Sequence, residues 1–339
     1  MAILEEPIKG VPMVKNYIDG EWVESQGDII DVVNPVTCEP IATVGISTKA
    51  EIDTAVAAAK EAFPDWRRTP AVSRARYLFR LLQLLEENFE HLSRVQTQEH
   101  GKTIDESRGE TRRGIENVEV ACGIPTLMMG DSSEDIAAGI DEYLIRVPLG
   151  VFGIIGPFNF PFMIPLWSAP YAVATGNTVV IKPSSEVPNS QNAIAELVDE
   201  AGFPPGVWNV VHGGRTVVNG MLDHSEIEGI TFVGSTPTME KVIYPRCGET
   251  GKRVIAQGGA VNVIVIMPDC NVDATIPGLM TSFFGNAGQR CLAGQTLAIV
   301  DDKGDFYESF MEKVAAMAQS IIIGNGLDES VQMGPLRDL

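Results

Sequence analysis

The central part of the chain alternates short β-branched runs with segments of helical periodicity, and no other feature of the 339 residues restricts the fold as strongly. Runs of this kind are typical of buried strands. Strands that alternate with helices form parallel sheets covered on both faces. We therefore predict a doubly wound α/β domain with strands over 151–155, 178–182, 207–211 and 229–234 and helices over 161–175, 189–201, 215–223 and 236–246.

The ends of these predicted strands are candidate cofactor contacts. Sheets of this class bind ligands at the carboxyl ends of their strands, where the sequence places Lys182, Gly213 and the turn Gly234-Ser235. No Gly-x-Gly-x-x-Gly motif supports them, and a lysine after a strand is ordinarily a solvated surface residue. Both interpretations of Lys182 stay open on this pattern alone.

The residues before this domain predict antiparallel strands and then long helices. Alternation with turn residues over 16–44 indicates strands, and Ser47 or Thr48 is a suitable N-cap for the helix that follows. A long exposed strand is expected over 139–148, and such an edge invites pairing with another subunit. The predicted helices cover 48–63, 73–98 and 103–128.

The last part of the chain predicts a second α/β unit. Apolar runs over 252–267 indicate further strands, and helices are expected over 273–288 and 306–322. The sequence then ends in a turn that carries glycine and proline, without a closing element. We therefore expect an incomplete second domain.

Charge and cysteine content exclude several function classes. A formal charge of −20 and a pI near 4.6 disfavour binding to nucleic acid or anionic lipid, which normally needs a basic surface. Residues 147–181 carry no acidic or basic side chain, but five prolines there would break a membrane-spanning helix. The five cysteines show no paired spacing, so neither disulfides nor a metal site is predicted. With no signal peptide apparent, we expect a cytoplasmic protein.

Cys291, in the segment GNAGQRCLAG over 285–294, is the candidate nucleophile. Small neighbours allow a carbonyl carbon to approach a thiol closely, and a thiolate is strongly nucleophilic. A lone cysteine is nevertheless more often a small core residue. Spacing alone does not decide between these interpretations.

Several motifs together resemble the aldehyde dehydrogenase superfamily. They are GPFNFP over 156–161, GNTVVIKPS over 176–184, FVGS over 232–235 and GNAGQRC over 285–291, in family order. RGIENVE and PTLMMGDS, further upstream, are most similar to the acylating, coenzyme A-dependent branch that oxidises methylmalonate semialdehyde. The resemblance implies a doubly wound Rossmann-type NAD domain over 1–130 and 149–252, an oligomerisation strand segment over 131–148 and a catalytic domain from 253 to 339.

The resemblance also implies roles for individual residues. Cys291 is the expected nucleophile, and Asn159, with the backbone N–H of Cys291, is expected to form the oxyanion hole. Arg113 and Arg290 match arginines aimed at the substrate carboxylate, where a guanidinium fork suits two oxygens; a solvated helix face is the alternative for Arg113. The expected NAD contacts are Ile155, Pro157, Phe158, Lys182, Ser185, Glu186, Gly213, Phe232, Gly234, Ser235 and Gly258.

Gln257 departs from the pattern of the hydrolytic family members, and Ser185 departs from the pattern of the family as a whole. Gln257 stands where those members have a glutamate, and an amide cannot take a proton from water as a carboxylate does. Gln257 therefore favours acyl transfer to the thiol of coenzyme A. Ser185 occupies the place of an acidic ribose ligand, with Glu186 one residue late, which weakens the preference for NAD over NADP.

The resemblance predicts an NAD-dependent enzyme that oxidises malonate or methylmalonate semialdehyde, forms a short acyl-CoA with loss of CO2, and assembles as a homo-oligomer. Two alternatives stay open. A hydrolytic aldehyde dehydrogenase would release a carboxylic acid without coenzyme A. A pseudoenzyme would bind nucleotide without turnover.

Overall fold

The structure is a computed structural model that describes residues 3–300 and 304–337. The strands are β1 (Met13–Val14), β2 (Asn16–Ile18), β3 (Glu21–Val23), β4 (Ile29–Asn34), β5 (Glu39–Gly45), β6 (Ser132–Ala137), β7 (Ile140–Tyr143), β8 (Val151–Ile155), β9 (Thr178–Lys182), β10 (Trp208–Val210), β11 (Ile227–Val233), β12 (Arg253–Gln257), β13 (Asn262–Ile266) and β14 (Gly294–Ile299). The helices are α1 (Lys49–Arg68), α2 (Ala71–Glu87), α3 (Phe89–His100), α4 (Ile104–Cys122), α5 (Ile124–Leu127), α6 (Met163–Leu166), α7 (Ala169–Ala174), α8 (Asn189–Glu200), α9 (Arg215–Asp223), α10 (Thr236–Thr238), α11 (Tyr244–Thr250), α12 (Val272–Phe284) and α13 (Asp305–Gln319).

A seven-stranded sheet in the order β12-β11-β8-β9-β10-β2-β3 organises the larger part of the fold. The first five strands in this order are parallel, and β2 and β3 add an antiparallel hairpin at the far edge. The pairs Ile155 with Lys182 and Val233 with Gln257 bring the last residues of four strands to one edge. The predicted doubly wound α/β architecture is confirmed, and this edge is where ligands are expected.

Helices cover both faces of the sheet. One face packs on α2, α4, α7 and α8, with Trp208 fully buried beneath them, and the other face packs on α1, α9 and α11. The indole of Trp66 on α1 donates to the carbonyl of Val173 at 2.9 Å, so α1 is tied to α7 across the domain. Each fully buried aliphatic side chain contributes about 1.5–3 kcal/mol, and these two cores are therefore the main source of stability.

The predicted start of the first helix is confirmed, but α1 continues to Arg68, beyond the predicted end at 63, and the next two predicted helices are interrupted. Thr48 is the N-cap of α1 and forms a capping box with Glu51, as the sequence suggested. The helix expected over 73–98 is interrupted at Asn88, whose side chain donates to the carbonyl of Leu84 at 2.9 Å and whose backbone leaves the helical region. The helix expected over 103–128 is interrupted at Gly123. Amphipathic spacing continues across both breaks and therefore hides them.

The segment over 131–148 forms an exposed hairpin. Strands β6 and β7 pair with each other antiparallel, and every residue in both is exposed. The strand expected over 139–148 is therefore shorter than predicted. Ile136, Ile140 and Tyr143 leave apolar side chains on its surface.

A second, smaller core lies beyond the large sheet. Strands β13 and β14 pair in parallel and pack on α12 and α13 around Ile276, Leu279 and Phe310. The helix expected over 273–288 ends at Phe284, where a 3₁₀ turn (Gly285–Gly288) follows. Among the described residues, no helix has the length and apolar character needed to cross a membrane.

Candidate active site

A cleft of about 660 Å³ lies at the carboxyl edge of the large sheet. It is bounded by the strand ends of β8, β9 and β11 on one side and by the loop that precedes β14 on the other. The structure brings twelve of the predicted site residues to its walls: Ile155, Pro157, Phe158, Asn159, Lys182, Glu186, Phe232, Gly234, Ser235, Gly258, Arg290 and Cys291. The expected cofactor edge and the expected nucleophile therefore face one space.

Two predicted cofactor contacts lie outside this cleft. The hydroxyl oxygen of Ser185 is buried and has no hydrogen-bond partner among the described residues. Gly213 packs under α9, where a Cβ would lie 2.5 Å from a methyl group of Val217 and where φ is +145°. Close packing and a left-handed backbone explain glycine at this position without any ligand.

Lys182 is the buried cation of the cleft. Its side chain is at the end of β9, the residue is 8% exposed, and burial lowers the pKa of its ammonium to about 8. Glu186, on the same loop, raises that pKa by a smaller amount. Lys182 has no ion-pair partner among the residues the structure describes, so the cleft holds an ammonium that is available to a ligand.

Phe158 forms a wall of the same cleft with an unusual neighbour behind it. Its ring stacks on the ring of His100, with centroids 5.9 Å apart and an interplanar angle of 8°. His100 is fully buried, and neither ring nitrogen has a partner among the described residues. Burial keeps the pKa of His100 well below its usual value. A neutral, flat ring therefore supports Phe158.

A second cleft of about 860 Å³ meets the first at Arg290 and Cys291, which line both. Its other wall is the polar face of α4, with Glu106, Glu110 and Arg113. The side-chain amide of Asn159 donates to the carbonyl of Gln289 at 2.7 Å, which places it against the segment that carries Cys291. The thiol is thus reachable from two sides.

The two predicted arginines occupy different environments in the second cleft. The Arg113 side chain is 72% exposed and forms an ion pair with Glu116 at 3.2 Å. The Arg290 guanidinium donates to the carbonyls of Thr281 and Ser282 at the end of α12, and a Cβ at Gly285 would lie 2.4 Å from it. Arg290 therefore also caps a helix, an arrangement that favours a cation.

Sequence reasoning missed a buried ion pair behind Asn159. Lys102 and Glu110 are joined at 2.6 Å, with side chains 1% and 0% exposed. The ammonium also donates to the carbonyl of Asn159 at 2.6 Å and lies 4.7 Å from the ring centre of Phe160. The other oxygen of Glu110 accepts the backbone N–H groups of 162 and 163. Charged residues at a helix start ordinarily indicate solvent exposure, so no sequence signal distinguished these two.

Gln257 lies beside the site and not in either cleft that contains Cys291. It ends β12 and lines a pocket of about 410 Å³ together with Trp167, which also lines the second cleft. The described residues contain no group of three or more His, Cys, Asp or Glu side chains placed to hold a metal ion.

The fold and the two clefts define the class, and the sequence profile of the aldehyde dehydrogenase family matches residues 22–339. The chain belongs to the aldehyde dehydrogenase family, whose members are oxidoreductases. Malonate-semialdehyde dehydrogenase 2 of Geobacillus kaustophilus HTA426 is 49% identical over 328 residues, which cover 96% of this chain and 67% of the relative. The chain thus spans about two thirds of the length of the relatives it matches.

Solved structures show the same likeness. Methylmalonate-semialdehyde dehydrogenase from Oceanimonas doudoroffii superposes with a TM-score of 0.93 at 38% identity, over 96% of this chain and 66% of that one. A protein from Sinorhizobium meliloti 1021, solved in complex with NAD, also gives 0.93 at 37% identity, over 97% of this chain and 67% of that one. Identity at this level accompanies the same fold, so the predicted family is confirmed.

Proposed function

We propose that the protein oxidises malonate or methylmalonate semialdehyde with NAD and transfers the acyl group to coenzyme A. One observation carries the proposal: Cys291 lies where a cofactor-sized cleft at the strand ends meets a second cleft with arginines on its wall. A thiol in that position can react with an aldehyde that enters from one side while a nicotinamide approaches from the other. The names of the relatives support the substrate class.

The residues of the first cleft fit a dinucleotide. The buried ammonium of Lys182, without an ion-pair partner among the described residues, suits the hydroxyl oxygens of a ribose. The backbone at Gly234 and Gly258 ends two parallel strands, where a pyrophosphate can approach closely. Phe158 and Phe232 add flat apolar walls. The chemistry that NAD would supply when bound there is acceptance of a hydride from the aldehyde carbon.

The chain supplies the remaining chemistry of oxidation. The sulfur of Cys291 attacks the aldehyde carbon as the thiolate, and the carbonyl oxygen becomes an alkoxide. One N–H of the Asn159 amide is bound to the Gln289 carbonyl, and the other is available to that alkoxide, together with the backbone N–H of Cys291. Preorganised donors of this kind typically contribute about 3–4 kcal/mol. Loss of the hydride leaves a thioester on Cys291.

The second cleft supplies the contacts for an anionic substrate. Arg113 and Arg290 present guanidinium groups on its wall, and a guanidinium can bind both oxygens of a carboxylate. Glu116 competes for Arg113, but an exposed ion pair is worth only about 0–1 kcal/mol. A substrate carboxylate can therefore replace Glu116 at small cost.

The fate of the thioester follows from the groups that surround it. Gln257 offers no carboxylate, and two carboxylates on the wall of the second cleft are held by other groups of the protein: Glu106 by backbone N–H groups and Glu110 by Lys102. Neither is therefore free to act as a general base for water. Coenzyme A brings its own nucleophile, and its thiol displaces Cys291 from the acyl carbon. The substrate carboxylate leaves as CO2 or bicarbonate, and a proton takes its place on the acyl chain.

The domain assignment belongs to the same proposal. We assign residues 1–130 and 149–252 to the NAD-binding domain and residues 253–339 to the catalytic domain. The hairpin segment over 131–148 is assigned to subunit association. The exposed apolar side chains of the hairpin, Ile136, Ile140 and Tyr143, support association into a homo-oligomer.

The test follows NADH formation from each semialdehyde with NAD, with and without coenzyme A, on the 339-residue chain. NADH and acyl-CoA that both require coenzyme A support the proposal. Acid release that is unchanged when coenzyme A is omitted identifies a hydrolytic enzyme instead, and NAD binding without turnover identifies a pseudoenzyme. Cys291→Ala should abolish turnover. Cys270→Ala should retain it, because the half-buried Cys270 lines neither cleft.

A further inference from the structure

The turn that precedes Cys291 has a strained backbone. Asn286 and Ala287 have φ of 55° and 51°, in the left-handed region. Each such residue without the freedom of glycine costs roughly 1–2 kcal/mol, and strained residues persist when their surroundings hold them in place. The geometry of the thiol therefore depends on whatever holds this turn.

Asn286 is held from two directions. It is 3% exposed, and its backbone N–H donates to a carboxylate oxygen of Glu106 at 2.5 Å. Its side-chain amide donates to the carbonyl of Asn159 at 3.2 Å. The other carboxylate oxygen of Glu106 accepts the backbone N–H of Thr103 at 3.0 Å, within the capping box of α4. Glu106 thus joins the strained turn to the first turn of a long helix.

The same helix holds the opposite side of the site. Glu110, one turn after Glu106, accepts the N–H groups of Phe162 and Met163 and pairs with Lys102, which donates to the Asn159 carbonyl. Residues four apart project from the same face of a helix. One rigid element therefore sets the position of the Asn159 loop through Glu110 and that of the Cys291 turn through Glu106.

We propose that Glu106 is a positioning residue, which holds the turn before Cys291 so that the thiol and the Asn159 amide face the same carbonyl group. The inference rests on the proposed function only in taking Cys291 as the nucleophile. It requires neither NAD, coenzyme A nor a particular aldehyde. Loss of Glu106 impairs reactions that need both groups and spares reactions that need the thiol alone.

Two reagents separate these cases on the whole chain. Acylation of Cys291 by p-nitrophenyl acetate forms an alkoxide-like intermediate and needs the Asn159 donor, whereas alkylation by iodoacetamide needs only the thiol. Peptide mass spectrometry resolves Cys291 from the other cysteines. In Glu106→Ala we expect acylation at Cys291 to slow by about tenfold or more, and alkylation to change by less than about threefold.

Asp105→Asn is the matched control. Asp105 lies in the same helical turn and carries the same charge, but its side chain is 81% exposed and, within the described part of the chain, pairs with Arg108 alone. We expect both rates to stay at the wild-type level. Glu106→Gln retains one acceptor oxygen for two N–H groups, so its acylation rate should lie between those of the wild type and Glu106→Ala. It also serves if Glu106→Ala does not fold.

A double-mutant cycle distinguishes positioning from a general loss of structure. Asn159→Ala should slow acylation of Cys291 strongly when it is the single substitution. Added to a Glu106 variant, it should slow acylation little further, because the effects of two substitutions in one coupled unit do not add. Full additivity overturns the inference, as does an equal loss in Asp105→Asn or absence of acylation at Cys291 in the wild type. If Cys291 is acylated in a way that depends on Asn159 but no NADH forms from the semialdehydes, the proposed function is wrong and the positioning role of Glu106 still holds.

Discussion

Removal of the charge on Glu110 should destabilise the protein far more than removal of an exposed carboxylate. Glu110 and Lys102 are fully buried and 2.6 Å apart. In Glu110→Gln the Lys102 ammonium still donates to the Asn159 carbonyl but loses its counter-charge. The NH2 group of the new glutamine is a donor and cannot accept a hydrogen bond from Lys102. Breaking a buried pair in this way costs about 3–5 kcal/mol.

The matched control is Glu86→Gln. Glu86 forms an ion pair with Arg112 at 2.5 Å, but both side chains are about 45% exposed, and such a pair contributes about 0–1 kcal/mol. The two variants therefore make the same chemical change in opposite environments. Tryptophan fluorescence in a urea series measures the free energy of unfolding for both, provided that the slope with urea stays constant.

The double variant Lys102→Met with Glu110→Leu completes the series. Replacing both charges by apolar side chains leaves no unpaired ion, so most of the lost stability should return. Acylation of Cys291 should remain impaired, because Asn159 has lost the ammonium that holds its carbonyl. Equal losses in Glu110→Gln and Glu86→Gln would refute this account of the buried pair.

Three further outcomes follow from the site and its surroundings. Gln257→Glu should introduce coenzyme A-independent acid release, measured by single-turnover product analysis, because a positioned base commonly contributes about 10²–10⁴-fold; no gain of hydrolysis contradicts the role assigned to the amide. NAD binding, followed by calorimetry, should weaken as pH rises through about 8, where Lys182 loses its proton, and Lys182→Met should remove that dependence. Burial raises the pKa of Glu99 from 4.5 to about 7, so the folded chain binds more protons than the unfolded chain between these values. The free energy of unfolding of the wild type, relative to that of Glu99→Gln, should therefore fall by up to about 3 kcal/mol as pH rises across that window. A difference between the two proteins that does not change with pH, measured in urea series, contradicts this prediction.

The central strands of the sheet were predictable because they are buried on both faces. In β8 and β9 nearly every side chain is apolar, with turn residues on both sides, and both strands have the predicted bounds. The interruptions of the predicted helices at Asn88 and Gly123 were not predictable, because the amphipathic spacing continues through each break. Periodicity reports which face is buried and says little about where the hydrogen-bond ladder stops.

Some residues of the candidate site were predictable from sequence motifs, and others were not. Cys291 and Asn159 stand in short motifs whose order along the chain is specific, so resemblance located them. Lys102 lies just before α4, and Glu106 and Glu110 lie one turn apart on that helix, in a charge pattern that resembles any solvated surface. Only the approach of two loops from distant parts of the chain buries Lys102 and Glu110 and gives Glu106 its partner. Tertiary packing thus converts an ordinary charge pattern into a support for the thiol.

The net negative charge of the protein does not prevent binding of the proposed anionic substrate, because most of that charge is far from the cleft and is screened. At physiological ionic strength, charges separated by more than about 8 Å are largely screened. The net charge of −20 therefore acts weakly inside a cleft whose own walls carry Lys102, Arg113 and Arg290 against Glu106, Glu110 and Glu116. Since Lys102 is bound to Glu110 and Asn159, Arg113 and Arg290 are the described cations of these walls that we propose for anion binding. In the proposed function, a substrate carboxylate would displace one exposed ion pair at Arg113, and the charges of Lys102, Glu106 and Glu110, which contact the Asn159 loop and the Cys291 turn, would keep their partners.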